Sequence, residues 1–383
     1  MKIGLLGHGV VGSGVQQIID AGATWEVREL EVKRILVKDE SEIDDPARMT
    51  TDVNEILNDP EIEVVAECMG GVEPAHTYAK RALENKKHFV TSNKKMLATC
   101  VEDLFETARR NGVTVHYEAA CGGGIPWMAS LDRTRRVDDI DSFRGIFNGT
   151  TNYILNQMSE KGSDFDEMLK EAQKLGYAER DPSDDIDGYD VRYKVNLSCV
   201  KAFDALVHVD DILTYGIRTI NAGDIAWTEK QGMVCKLLGH GENLRDRVSA
   251  WVMPAFLRKD DVFANIPLNF NAIASDSKTL GDAVFIGQGA GSLPTAHAVV
   301  QNIIDIWKNQ DPEINDKTHM EVDPSAHKGI FYIRTKNADV FQNVKNEEVN
   351  ADTLLTKKIT LKELADLIHQ AEDASLFVAE VYA

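Results

Sequence analysis

Residues 2–19 read KIGLLGHGVVGSGVQQII: a short apolar strand, a glycine turn, then a helix. Gly7, Gly9 and Gly12 form GxGxxG in the context that gives this pattern meaning, with strand before and helix after. Gly7 permits a tight turn and Gly9 a close backbone approach to a pyrophosphate. Gly12 lets helix pack on strand, with phosphate at the helix N-terminus. The plain alternative is a glycine-rich turn in some other α/β protein. The next elements favour the first reading: strands at about 30–37, 61–68 and 88–91, a helix at about 74–85, and a helix start at Ser92 or Asn93. Strand, helix, strand at this spacing predicts a Rossmann-type doubly wound parallel sheet.

Lys38 and Asp39 follow the second strand. An acid there takes the ribose hydroxyls of NAD and a cation the 2′-phosphate of NADP. Either cofactor fits, and Lys38, directly after the apolar run, tilts the choice toward NADP. Lys94 and Lys95 lie just past a strand's carboxyl end, where open α/β sheets place ligands. A cation in a first helical turn opposes the helix dipole, so a merely solvated lysine is disfavoured there.

The net charge of −20 disfavours nucleic acid and anionic membranes as partners, since both need a basic footprint. The five cysteines are scattered without CxxC spacing, and the ten histidines show no HExxH or HxxxH cluster. Disulfide frameworks and zinc sites are therefore not expected. No apolar run reaches a membrane span, and a strand begins at Lys2, leaving no room for a signal peptide. These features predict a cytoplasmic protein.

Glu118-Ala-Ala-Cys-Gly-Gly-Gly-Ile-Pro126 follows a strand at 113–117. Glu118 with turn carbonyls suits a hard monovalent cation; the plainer reading is a flexible crossover. Residues 143–155 give a strand, an Asn-Gly turn and a helix capped by Thr150 or Thr151. An amphipathic helix over 164–175 ends at Gly176 as its C′ residue. It delivers the chain to GYAERDPSDDIDGYDVRYK, 176–194, which holds five aspartates, Glu179 and a terminal lysine. Asp187 is placed to cap a helix, with Asp190 in the capping-box position. Asp190 and Lys194 then share a helix face. A solvated ion pair is the plain alternative, but a site for an amino-acid-like substrate uses such carboxylates for its ammonium and a lysine for a proton. Mixed helix and strand over 211–285 is expected to extend a central sheet and form a subunit interface. Gly287 to Thr295 opens a second glycine turn onto a helix, returning the chain to the nucleotide site.

These stretches together resemble homoserine dehydrogenase. The resemblance is carried by GLLGHGVVG at the start, TSNKKMLA at 91–98, EAACGGGIP at 118–126, GIFNGTTNYIL at 145–155, the acidic loop, and GQGAGSLPTA at 287–296. It implies reversible NAD(P)-dependent interconversion of L-homoserine and L-aspartate 4-semialdehyde, a step toward threonine and methionine. It implies Lys194 and Lys94 as catalytic, with Lys194 the proton donor, and Glu179, Asp190 and Asp185 as substrate-binding. Gly7, Val10, Val11, Gly176 and Gly291 would lie against the nicotinamide cofactor, together with Gly9, Gly12, Lys38 and Lys94. Glu118 with the carbonyls of Cys121, Gly123 and Ile125 would hold sodium. A homodimer or higher homo-oligomer is expected, in a monofunctional chain without a preceding kinase domain. Lys95 replaces a smaller residue usual in the family, which leaves open which of the adjacent lysines serves the site.

The expected domains are 1–140 with 287–307 returning, a catalytic and dimerisation α+β domain over 141–286, a linker over 308–320, and a small βαββαβ, ACT-like or ferredoxin-like domain over 321–383. The rival functions are another Rossmann NAD(P)-dependent reductase of a small amino-acid aldehyde or imine, and a non-catalytic dinucleotide-binding regulator.

Overall fold

Strands that read as short apolar runs are buried on both faces, which is the environment of a parallel sheet. The computed structural model describes residues 1–310 and 317–382, so residues 311–316 of the expected linker lie outside the described residues. The strands β1 (Lys2–Leu6), β2 (Glu31–Leu36), β3 (Met49–Thr50), β4 (Val64–Glu67), β5 (His88–Thr91) and β6 (Val115–His116) form one sheet. Their order is β3-β2-β1-β4-β5-β6, and every pairing is parallel. The order reverses between β1 and β4, and open α/β sheets bind their ligands beyond the carboxyl ends of strands at such a reversal.

The chain divides into two compact units, Met1–Arg136 with Gln288–Lys317, and Val137–Gly287 with Thr318–Ala383. In the first unit the returning helix Ser292–Trp307 packs on the helix Val10–Ala21. Their approach is close: a Cβ on Gly14 would sit 2.9 Å from that of Ala296. Val15, Ile19, Ala296, Val299 and Ile303 join Ile3, Leu5 and Val64 in one core.

The second unit is built on a ten-stranded mixed sheet. Its centre is Ile140–Ile146, antiparallel to both Met233–Asn243 and Phe270–Ser277, with Val248–Arg258 beyond. The helix Tyr189–Phe203 seats against this centre because Gly239 has no side chain; a Cβ there would lie 2.5 Å from Val195. That helix is enclosed rather than solvated. All its residues are buried except Tyr189 and Arg192, including Asp190, Lys194, Asn196, Ser198 and Lys201.

The C-terminal segment also differs from expectation. Its elements follow nearly the predicted order, with a short 3-10 turn (Ala338–Phe341) in place of the first helix. They do not form a separate ACT-like domain. Phe377–Tyr382 pairs antiparallel with Phe331–Arg334 on one side and parallel with Val248–Arg258 on the other. Trp251 and Met253 share a core with Phe331, Ile333, Leu361 and Leu364. A strand's own sequence does not say whether both of its edges are paired, and here both are.

Asp224 reinforces this junction. Fully buried, it accepts from Arg334 Nε at 2.9 Å and Nη2 at 3.1 Å, and from the Tyr332 hydroxyl at 2.9 Å. It also completes a capping box with Asn221. Removing one partner of a buried pair strands the other charge, at a cost of about 3–5 kcal/mol. Asp224→Ala should lower the unfolding free energy by about that amount in urea denaturation. A loss below about 1 kcal/mol would show that the C-terminal segment does not depend on this contact.

Candidate active site

In the first unit, the turn after β1 is shaped by contacts that only glycine allows. Gly7 has φ 92°, and a Cβ there would lie 3.0 Å from the Cys68 carbonyl oxygen. A Cβ on Gly12 would fall 2.0 Å from the Gly7 carbonyl oxygen. Gly9 stands open, with nothing within 4 Å of a Cβ position. No side chain caps the helix that starts at Val10, and Val10 itself is 70% exposed. The first N–H groups of a helix without a cap form a ready site for phosphate. Gly291, at φ 125°, opens the returning helix, and the Ser292 hydroxyl donates to the Val10 carbonyl at 2.5 Å. Gly7, Gly9, Val10, Val11, Gly12 and Gly291 therefore belong to one unit around one turn. The Gly7 amide donates to the Leu36 carbonyl at 3.1 Å, which brings the end of β2 to the same turn; Lys38 is exposed two residues on.

Lys94 is the first residue of the helix Lys94–Asn111, whose N-cap Asn93 accepts from the Met96 amide at 3.1 Å. Lys94 and Lys95 are both half-buried. Beneath this turn lies Glu67, the last residue of β4 and fully buried. It accepts from the Thr91 hydroxyl at 2.6 Å, the Met69 amide at 2.7 Å and Asn93 Nδ2 at 3.5 Å. Burial pushes its carboxyl up to about 7, against these three hydrogen bonds.

The glycine run at 122–124 has a packing cause. A Cβ on Gly123 would lie 2.4 Å from the Gly289 backbone, and the Gly124 amide donates to Gln288 at 3.0 Å. The run is the seat of the returning segment. Glu118 is buried beside it and accepts from the Met128 and Ala129 amides at 2.9 and 2.7 Å, capping the helix Trp127–Arg135. The Ile125 carbonyl accepts from Trp127 at 2.7 Å. The donor set, a carboxylate and the carbonyls of Cys121, Gly123 and Ile125, is all oxygen and fits a hard monovalent cation.

In the second unit, Asp190 and Lys194 are 3% and 7% exposed, so the pair is no surface ion pair. Lys194 Nζ donates to Asp190 Oδ2 at 2.7 Å and to the Phe147 carbonyl at 2.7 Å. Asn148 Nδ2 donates to Asp190 Oδ2 at 2.8 Å and to Asp185 Oδ1 at 2.7 Å. Its Oδ1 accepts from the Thr151 amide at 2.8 Å, which fixes the amide's orientation. One asparagine thus caps the helix Gly149–Lys161 and bridges two carboxylates. Three expectations change here. The cap of that helix is Asn148, not Thr150 or Thr151; the Thr150 hydroxyl donates instead to the Tyr177 carbonyl at 2.6 Å. The residue before the helix Tyr189–Phe203 is Gly188, at φ 85°, and Asp187 instead pairs with Arg218 at 2.6 Å. Asp190 turns toward Lys194 and away from any capping box.

Asp185, Asp190 and Lys194 are therefore brought together. Gly176, at φ 77°, and Glu179 are exposed on the loop after the helix Phe165–Lys174, and the Glu179 carboxylate takes no part in that network. Asn148 and Glu67 escaped the sequence reading. Asn148 was legible only as half of an Asn-Gly turn, and Glu67 only as the end of an apolar strand.

Two family profiles match the chain. One, described as homoserine dehydrogenase, NAD binding domain, covers residues 7–118; the other, described as homoserine dehydrogenase, covers 126–304. A homoserine dehydrogenase of Synechocystis is 40% identical over 319 residues, 80% of this chain and 73% of that protein. One of Neisseria gonorrhoeae is 37% identical over 96% of this chain and 91% of its own length. A crystal structure of a homoserine dehydrogenase from Thiobacillus denitrificans superposes with TM-score 0.88 at 29% identity, covering 100% of this chain and 98% of that one. A hyperthermophilic archaeal homoserine dehydrogenase mutant, solved with NADPH, shares the fold at TM-score 0.70 and 24% identity, over 82% of this chain and 99% of its own.

The bridging role of Asn148 separates cleanly from its capping role. Aspartate caps helices as well as asparagine does but donates nothing. Asn148→Asp should therefore keep the fold while setting a third carboxylate against Asp185 and Asp190. We expect kcat/KM to fall about tenfold or more, ~1.4 kcal/mol, with the circular dichroism spectrum unchanged. Activity within about twofold of the parent would remove the bridge from the site.

Proposed function

The chain belongs to the homoserine dehydrogenase family, an NAD(P)-dependent oxidoreductase acting on a CH–OH group, and we propose how its residues divide that reaction. The rival readings, a different Rossmann reductase or a silent dinucleotide-binding regulator, are not favoured by these relatives.

The reading is carried by one observation: a buried lysine and aspartate held together by an asparagine and a carbonyl. In this proposal Lys194 gives a proton to the oxygen of the aldehyde as it becomes a hydroxyl, and takes one back in the reverse direction. Asp190 and the Phe147 carbonyl fix the direction of its ammonium, so little reorganisation remains for the reaction. Asp185 and Asp190, with Glu179 from the exposed loop, receive the ammonium group of L-homoserine or L-aspartate 4-semialdehyde. Lys94 is the second catalytic lysine and also touches the cofactor.

The nicotinamide cofactor, when bound, carries the hydride. The open helix start at Gly9, Val10 and Val11, with Gly7, Gly12, Gly176 and Gly291, is proposed to hold it. Lys38 favours NADP by meeting a 2′-phosphate; NADPH is the ligand of the archaeal structure. Glu118 and the carbonyls of Cys121, Gly123 and Ile125 are proposed to hold sodium, which would brace the turn that seats the returning segment. We further propose a cytoplasmic homodimer or higher homo-oligomer serving threonine and methionine biosynthesis, with its subunit contact in the 141–286 region. Residues 1–140 with 287–307 then serve the cofactor, and 141–286 the substrate.

An absorbance assay at 340 nm with L-homoserine and each cofactor tests these roles. Lys194→Ala and Lys94→Ala should each lower kcat by about 10²-fold or more, the scale of a positioned acid–base group. Lys95→Ala should stay within about threefold of the parent. Unimpaired turnover in Lys194→Ala would reject the proton assignment, and a worse loss in Lys95→Ala than in Lys94→Ala would shift it by one residue. Lys38→Ala should raise the KM for NADP about tenfold and leave that for NAD unchanged, as loss of one phosphate contact requires. Equal effects on both cofactors would exclude Lys38 as the phosphate ligand.

A further inference from the structure

We propose that Glu67 is a positioning residue for Lys94: its buried carboxylate ties the loop after β4 to the loop after β5, and so fixes where the helix bearing Lys94 begins. This inference rests on the reading of Lys94 as catalytic.

Glu67 ends β4 at the edge where the strand order reverses. One carboxylate oxygen takes the Met69 amide, two residues on, and the other takes the Thr91 hydroxyl at the end of β5. Thr91 Oγ1 in turn accepts from the Asn93 amide at 2.9 Å. Asn93 is the cap of the Lys94 helix, and its side-chain amide donates to the Gly71 carbonyl at 2.7 Å and toward Glu67 at 3.5 Å. The main chain repeats the tie, since the Ser92 amide donates to the Glu67 carbonyl at 3.2 Å. The loop so held presses on the glycine turn: Cys68 and Met69 are the atoms that a Cβ on Gly7 would meet at 3.0 Å. One side chain therefore ties the loop after β4 to the loop after β5.

The arrangement is more than a strand end needs. A fully buried carboxylate is costly to desolvate, and an apolar residue could fill the same volume without that cost. What the carboxylate supplies is acceptor capacity for Met69, Thr91 and Asn93 at once, and hence one fixed orientation of the Asn93 cap. Lys94 follows that cap directly, so an error in the cap's position is transmitted to it without slack. A displacement of about 1 Å in a catalytic group costs on the order of 10²-fold in rate.

The test measures kcat, cofactor affinity and melting temperature for Glu67→Ala, Glu67→Gln and Thr91→Val, each in the parent and in Lys94→Ala. Glutamine keeps the shape and one acceptor, so it is the variant to read should alanine fail to fold. We expect Glu67→Ala to lower kcat about tenfold or more and Thr91→Val by a smaller factor. Glutamine, which keeps one of the two acceptor oxygens, should lose less than alanine but not regain the parent rate, and the NADP dissociation constant should stay within about threefold. In the Lys94→Ala background the Glu67 substitutions should cost less than about threefold, because residues acting as a unit are not additive. The same fold-loss in both backgrounds overturns the inference, as does an unchanged kcat in the parent. A loss carried wholly by the dissociation constant or by melting also overturns it. If Lys94→Ala alone leaves kcat intact, the reading of Lys94 fails and takes this inference with it; an impaired Lys94→Ala with additive Glu67 effects sinks the inference alone.

Discussion

An ion pair can be taken out of water only if every remaining hydrogen-bonding demand is met nearby. The second unit is organised around that requirement for Asp190 and Lys194. The helix carrying them is enclosed on nearly all sides, so neither side chain can relax toward solvent. The Phe147 carbonyl, just past the end of the central strand, accepts from Lys194, and the next residue, Asn148, meets Asp190 with its amide. Strand end, helix cap and buried pair are thus one construction. Gly239 makes it possible by letting the helix come down onto the sheet.

The first unit answers a different constraint. An anionic cofactor in a chain of net charge −20 has to be received by backbone dipoles and a few local cations. The glycine turn and the uncapped start of the helix Val10–Ala21 offer such dipoles, and lysines stand just past β2 and β5. Small residues recur here because backbone must approach backbone, at Gly7 against Cys68, at Gly14 against Ser292 and at Gly123 against Gly289.

Much of this was legible because the relevant spacings are local. GxGxxG between strand and helix announces the turn, and Asp190 four before Lys194 announces a shared helix face. What escaped depends on partners far along the chain. Asn148 reaches Asp190 across 42 residues, and nothing around either marks the other. The helix Tyr189–Phe203 carries enough polar residues to read as half-exposed, and only the surrounding sheet and helices bury it. The C-terminal elements have the order of a small independent domain, yet Phe377–Tyr382 finds its second neighbour in Val248–Arg258. Order along a chain fixes neighbours in sequence; it does not fix which strand edge is left open.

The interleaving of the two units bears on how the polypeptide is made. A nascent chain that has reached Arg136 already holds all six strands of the parallel sheet. It still lacks Ser292–Trp307, whose Val299 and Ile303 share a core with Val15 and Ile19. That apolar face stays open to water, or to a chaperone, while the whole of Val137–Gly287 is being translated. Domains usually fold as they emerge from the ribosome. Here the segment that starts first must wait for a later one before its core can close.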